Sequence, residues 1–298
     1  MIPRYFDIHS HVTFKDYDQD LAEVLQRMED DGVYTIGVGV DKASSEEAVA
    51  FAADKENFFA AIGLHPTDTT TETFSDSEYR TLVENPKVVA VGECGLDYYR
   101  LQRGDERDKS LAIPKQGKGA SSAYFRLEGD TAEEKKRQRR EFEKQVDFAV
   151  KYDKSLMLHC RPSRGTVDAY EDVLYFLEPS AKRLGSQLRG NVHFFVGNTA
   201  IARRFYDIGF TTSFTGVLTF THDYDEVVRF APLEMLLAET DCPFVAPVPF
   251  RGRRNEPVYV KYVVEAIAAI RGMDAESVRE ATVKNAFRLF ALPESSTL

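Results

Sequence analysis

The sequence predicts a single (β/α)8 barrel domain over residues 1–298, with extra C-terminal helices. Three observations predict it. Short apolar runs alternate with longer amphipathic ones along the chain, the order in which a barrel lays down strands and helices. A length of 298 residues allows two domains or one large α/β barrel, which routinely reaches this size. An open doubly wound sheet gives the same alternation, but no G-x-G-x-x-G follows the first strand to favour it, and there is no repeat period.

Taken in order, the first strand is predicted at Tyr5–His9. "DLAEVLQRMEDDG" follows, with Leu21, Val24, Leu25 and Met28 on one helical face and Gly32 suited to end the helix. A strand at Tyr34–Val40 leads into "SSEEAVAFAADK", which opens with the serines and carboxylates favoured at helix N-termini. Strands at Phe58–Leu64 and Val88–Gly92 come next. Residues 103–130 then break the rhythm. They are rich in Gly, Ser, Lys and Asp, and such an insertion at a strand's C-terminal end is expected to be a lid or disordered. "EEKKRQRREFEKQVDFAVKYDK" is the longest helical pattern. Strands are predicted at Leu156–His159, Asn191–Phe195, Thr211–Phe214 and Met235–Glu239, with helices in "GNTAIARRFYDIG" and "DYDEVVRFAP". "NEPVYVKYVVEAIAAIRG" and "DAESVREATVKNAFRLFAL" supply two further helices.

Composition narrows the class. No signal-peptide pattern opens the chain, and no apolar run nears the roughly 20 residues of a membrane span, so no membrane association is expected. Cys94, Cys160 and Cys242 are odd in number and lack C-x-x-C spacing, which reads as reduced thiols in a cytoplasmic protein. A net charge of −10 argues against broad basic coverage of nucleic acid, yet leaves room for metal ions that neutralise a phosphate. The basic run Lys135–Arg140 is surrounded by Glu133, Glu134, Glu141 and Glu143 and reads as a solvated helix face.

Polar residues fall at the predicted strand ends. His9 and His11 close the first strand, Glu93 the fourth and His159 the fifth; His193 lies in the sixth, and Asp241 follows the eighth. Residues i and i+2 of a strand share a side, so His9 and His11 can converge. A lone buried histidine is more often a hydrogen-bonded core residue than a ligand. Here four of the six histidines join two acids at one rim, and buried groups of this kind need partners or metals. Imidazole and carboxylate suit Zn²⁺, Mn²⁺ and related ions. One bridging carboxylate would let this set hold two ions, as in displacements at phosphorus.

These residues carry a resemblance. "DIHSHVTF", "AIGLHPTD", "VVAVGECGLDYYR", "LMLHCRPS", "NVHFFVGN", "TSFTGVLTF", "LLAETDCPFVAP", "RRNEP" and "ATVKNAFRLFAL" cover nearly the whole chain. In them it resembles the TatD-type deoxyribonucleases, metal-dependent hydrolases of the amidohydrolase-like barrel superfamily. The resemblance implies phosphodiester cleavage in DNA, mainly as a 3′→5′ exonuclease on single strands or 3′ ends, a role in DNA repair, and two divalent ions (Mg²⁺, Mn²⁺ or Zn²⁺); the sequence does not fix the oligomeric state, and a monomer is expected. It makes His9, His11, Glu93 and Asp241 ligands of one ion, and Glu93, His159 and His193 ligands of the other. Glu93 would bridge, and Asp241 would be the base that orients the attacking water. It places His65 at the rim near the substrate phosphate, while Arg161, at i+2 from His159, could reach that phosphate or a neighbouring acid. Val196 and Pro162 depart from the family pattern, where a hydroxyl and an acid are usual.

Asp97 reads as a cap for the next turn or an acceptor behind a ligand. Tyr98 and Tyr99 could stack on a base, but buried aromatics are commoner. Arg253 and Arg254 are candidate phosphate ligands, while Asn255 and Glu256 serve equally well as a helix cap and an ion pair. The three cysteines, each next to a ligand, are expected to turn away from the metals. Two other readings stay open: hydrolysis of a small amide, ester or phosphoester on the same scaffold, and a non-catalytic binding protein.

Overall fold

A computed structural model describes residues 3–101 and 131–292; the predicted insertion at 103–130 lies outside the described residues. Eight parallel strands stand in sequence order: β1 (Tyr5–Ser10), β2 (Val33–Val38), β3 (Phe58–Ile62), β4 (Val88–Asp97), β5 (Ser155–Arg161), β6 (Gly190–His193), β7 (Thr211–Phe214) and β8 (Leu236–Ala238). The sheet closes where the chain after β8 meets β1 in a parallel bridge between Ser10 and Cys242. Helices fill the connections: α1 (Leu21–Asp30), α2 (Lys42–Ala52), α3 (Asp76–Val83), α4 (Thr131–Lys151), α5 (Asp168–Leu184), α6 (Thr199–Asp207), α7 (Asp225–Phe230), α8 (Val260–Arg271) and α9 (Ala275–Leu289). Among the described residues no helix is long and apolar enough to cross a membrane.

Side-chain caps open several helices, and α2 starts at Lys42, ahead of the serines expected to open it. Asp41 caps α2 and Ser44 returns the bond, Asn198 caps α6, and Asp274 caps α9. Gly32 follows α1 at φ 62°, the left-handed position foreseen for it. The cores are layered. The larger joins the helices to the outer side of the strands. The smaller joins Phe6, Ile36, Phe59 and Met157 of the barrel to Ala286 and Leu289 of α9 and to Phe290 just after it. α9 is fastened across the N-terminal mouth, because Ser155 Oγ donates to Leu289 O (2.6 Å) and Asn285 Nδ2 to Leu236 O (2.8 Å). That mouth is thereby sealed, and the C-terminal mouth is the end left for polar side chains.

Several boundaries move. β4 does not stop at Gly92; after a register shift at the Gly-Glu step, Cys94–Asp97 pair with Leu158–Arg161. Glu93 therefore lies inside a strand. β4 hugs β5 so closely that a Cβ at Gly95, which has φ 136°, would run into the His159 carbonyl. β6 ends at His193 instead of Phe195, because Phe194 turns to φ 45°. α3 and α5 were not among the predicted helices, and α5 carries Pro179 in its interior. The basic run of α4 is more paired than a solvated face: Arg139 and Lys135 meet Asp172 and Asp168 on α5, Arg137 meets Glu134, and Gln138 is buried.

Candidate metal centre

His9, His11, Glu93, His159, His193 and Asp241 meet at the C-terminal mouth. The Nε2 atoms of His9 and His11 stand 3.2 Å apart. His11 Nδ1 is 3.0 Å from the Val38 carbonyl, which can only accept, so Nδ1 carries the proton and Nε2 presents a lone pair. Backbone pairing brings Asp241 over these rings: its N–H donates to His9 O (3.0 Å), and His11 N–H donates to Cys242 O (2.8 Å). Asp241 takes φ 53° there, a region that Asp tolerates better than most residues. Its Oδ1 is 3.8 and 3.6 Å from the two Nε2 atoms. Glu93 spans the mouth. Its Oε2 is 3.6 and 3.7 Å from His9 and His11 Nε2, and its Oε1 is 2.6 Å from His159 Nδ1 and 2.8 Å from His193 Nε2.

This donor set fits divalent ions. Two buried Nε2 atoms facing each other repel unless a cation or proton sits between them. Potential ligand atoms of His9, His11 and Asp241 lie within 4.8 Å of one another, as do those of Glu93, His159 and His193. Each set offers only nitrogen and carboxylate oxygen, the donors that zinc and manganese favour.

The electrostatics are uneven. Burial pushes His11 down to about 3 and lowers His9 as well, so both are neutral, ligand-ready imidazoles. Burial also opposes a charge on His193, but Glu93 and Glu239 outweigh it and hold this ring well above the ordinary imidazole range. Burial drives Asp241 well above the carboxylate range, with Glu93 and Glu239 adding to it against His193. Both shifts favour the protonated form, so a metal ion competes with a proton at each group. Raised pKa values mean that falling pH strengthens the proton's hold, so metal affinity is expected to weaken about tenfold per pH unit for each proton displaced. Calorimetric metal titrations in two buffers of different ionisation enthalpy check this; binding that releases no proton contradicts it.

Carboxylates behind the ligands complete the site. Asp97 Oδ2 is 3.3 Å from His159 Nε2 and orients that ring toward Glu93, while Oδ1 accepts from Arg100 N (3.1 Å). Both expected roles of Asp97 are thus filled. Burial opposes its charge, but the hydrogen bond and charge of His159 hold it below the usual range. Glu239 and Asp7 were missed by the sequence reading. Glu239 is buried, accepts from Phe194 N (2.5 Å) and Ser213 Oγ (2.8 Å), and sets Oε1 3.5 Å from His193 Nδ1. Ser213 is held by Asn191 Nδ2 (2.7 Å), which extends the chain of polar contacts across β6 and β7. The rings of His9 and His193 stack at 4.0 Å, so Glu239 faces a ligand of each set. Asp7 accepts from Thr240 N (2.8 Å) and Thr240 Oγ1 (2.7 Å), joining β1 to the segment that carries Asp241. The signal was the period of two: Glu239 precedes Asp241 as His9 precedes His11, and Asp7 precedes His9. Glu239→Gln keeps the shape and the acceptor but removes the charge. It is expected to weaken metal binding about 10–100-fold with little change in melting temperature. Competition with a chelating dye measures this, and wild-type affinity would remove Glu239 from the role.

The remaining candidates divide. His65 joins the cluster: its Nδ1 accepts from Thr67 N (3.2 Å), which leaves the neutral ring's proton on Nε2, 3.6 Å from Glu93 Oε1. Arg161 ends β5 with its guanidinium over the Tyr99 ring at 4.2 Å. Tyr98 is buried, as expected, with its hydroxyl on Asp172 (2.8 Å). Arg253 is exposed on the loop after β8. Arg254 is not brought to the cluster; it grips Asp20 through two bonds of 2.6 Å and lies over Tyr17. Glu256 pairs with Arg27 (2.8 Å), and Asn255 Nδ2 ties Thr240 O (2.9 Å) to Phe244 O (2.6 Å). Cys94, Cys160 and Cys242 are free, buried and packed in the larger core.

Comparison with known proteins agrees with this geometry. The family described as TatD related DNase matches residues 6–291. An uncharacterized metal-dependent hydrolase of Bacillus subtilis, YabD, is 36% identical, over 96% of this chain and 99% of its own. A protein of Klebsiella pneumoniae named 3′-5′ ssDNA/RNA exonuclease TatD is 26% identical, over 96% of this chain and 98% of its own. The crystal structure of YJJV, a TatD homologue from Escherichia coli, superposes with a TM-score of 0.78 at 26% identity, covering 98% of this chain and all of that one. A barrel with this order of histidines and acids, matched from its first strand to its last helix, belongs to the TatD related DNase family of metal-dependent hydrolases.

Proposed function

We propose that the protein is a phosphodiesterase that removes nucleotides from the 3′ ends of single-stranded DNA with two divalent ions. One observation carries the reading: Glu93 presents one oxygen to His9 and His11 and the other to His159 and His193, which is how a carboxylate bridges two ions. Bound there, the ions would supply Lewis acidity toward a phosphate and hydroxide near neutral pH. The protein's own groups do the rest. Asp241 accepts the proton of the attacking water, with the ionised form as the working state. His65 donates from Nε2 to a phosphate oxygen, and Arg161 and Arg253 add positive charge at the rim. The exonuclease name carried by the Klebsiella relative supports a nucleic-acid substrate. Free, buried thiols support a reducing, cytoplasmic setting.

A single-stranded oligonucleotide labelled at either end, incubated with Mg²⁺ or Mn²⁺ with and without chelator, tests this. Loss of a 3′ label as mononucleotide and a ladder from a 5′ label are expected, both abolished by chelator. Uncut strands beside turnover of a small ester would transfer the reading to a small-molecule hydrolase.

A further inference from the structure

We propose that Phe220, Arg251 and Arg253 form a nucleotide ledge on the rim of the metal centre, which takes the base and phosphate of a nucleotide beyond the one being cleaved. The ledge rests on the nuclease reading above. It is built from two loops at the C-terminal mouth, one leaving β7 and one running on from Asp241. The loops are fastened together: Val248 N donates to Thr219 Oγ1 (2.8 Å), and Thr219 Oγ1 donates to Gly216 O (2.7 Å). Gly216 is pressed so closely on the second loop that a Cβ would come within 2.6 Å of Val245 O. Phe244, on the same loop, stands edge-on to the ring of His11 at 6.2 Å. The ledge is therefore continuous with a residue of the metal centre.

Its surface has the chemistry of a strand-binding site. Phe220 is 42% exposed and Val248, beside it, 45%; among the described residues only Tyr175 joins them as an exposed large hydrophobic. The Arg251 guanidinium lies 3.8 Å from the Phe220 ring centre, held there by Arg251 Nη1 donating to Ala246 O (3.1 Å). Among the described residues no carboxylate pairs with Arg251 or Arg253, whereas Arg254 and Arg27 next to them are taken by Asp20 and Glu256. In a chain of net charge −10, the Arg251 guanidinium on an exposed ring, with the exposed Arg253 two residues further along the same loop, is a local complement to a phosphate and a base. Aromatic rings and guanidinium planes both stack on bases without regard to sequence. Sequence had pointed to Arg253 and Arg254; the fold replaces Arg254 with Arg251.

The test compares Phe220→Ala, Arg251→Ala and Arg251→Lys on an eight-residue oligo(dT) and on bis(p-nitrophenyl) phosphate, both with Mn²⁺. The first two are expected to raise KM for the oligonucleotide about tenfold and to lower its kcat/KM about tenfold relative to that of the small ester. Arg251→Ala should also flatten the dependence of log KM on log salt by about one. Arg251→Lys should keep the salt slope yet lose affinity, because an ammonium does not stack as a guanidinium plane does. Equal losses on both substrates, or none on the oligonucleotide, overturn the ledge. If the wild type cleaves the small ester but no oligonucleotide, the nuclease reading fails separately. Fluorescence anisotropy of labelled oligo(dT) with the metal-loaded protein then decides the ledge, where tenfold weaker binding by Arg251→Ala upholds it and equal binding overturns it.

Discussion

Glu93→Gln is expected to release both metal ions and to cut phosphodiester turnover by about a thousandfold or more. The amide matches the carboxylate in shape, so the fold should persist. Its charge is gone, and one end of it becomes an N–H donor. Whichever way it turns, that donor faces a histidine pair: His9 and His11 at 3.6 and 3.7 Å, or His159 and His193 at 2.6 and 2.8 Å. Both pairs lose the Glu93 charge, and each set loses the ligand common to both. Elemental analysis of the purified variant should find well under one ion per chain, with an unchanged near-ultraviolet dichroism spectrum. Glu93→Asp is the informative control. It keeps the charge but lacks the reach to serve both pairs, and should retain one ion with little activity. Wild-type metal content in Glu93→Gln would sink the two-ion assignment.

That argument uses residues that were legible in the chain before any coordinates. The six proposed ligands were readable because each falls at or near the end of a predicted strand, although Glu93 proves to lie inside β4. The barrel was legible for a similar reason: buried parallel strands are apolar runs, and amphipathic helices separate them. What failed to show has physical causes. β4 was cut short at Gly92 because the apolar run ends there, yet the strand continues through Glu93 and Asp97. Its later residues line a polar site, so they break the apolar pattern while keeping the ladder. Glu239 was hidden because it looked like the last residue of a strand in front of Asp241. Only the fold shows its carboxylate among Phe194 N, Ser213 Oγ and the His193 ring. Arg254 failed in the opposite direction. Among the described residues no carboxylate pairs with Arg253, whereas Asp20, 234 positions away in sequence, lies against Arg254. Long-range pairing of that kind leaves no local signal.

Asp241→Asn should give a loss of turnover similar to that of Glu93→Gln with a different metal count. The backbone that places the residue is undisturbed, since Asp241 N–H still donates to His9 O and His11 N–H to Cys242 O. Asn also accepts the left-handed φ of 53° found here, so strain adds nothing to the effect. Glu93, His159 and His193 are untouched and should still hold an ion. What disappears is a carboxylate able to accept a proton beside the attacking water. General bases are worth about 10²–10⁴ in rate, and a fall in kcat of about a thousandfold is expected with at least one ion retained per chain. The pH profile adds a second check. Where Asp241 is the base, activity rises as the group ionises, and the variant loses that acid limb. A variant that kept a tenth or more of the wild-type kcat would move the base elsewhere. If Asp241→Asn instead emptied both sites, Asp241 would be a ligand on which the whole centre depends, and its loss of activity would say nothing about proton transfer.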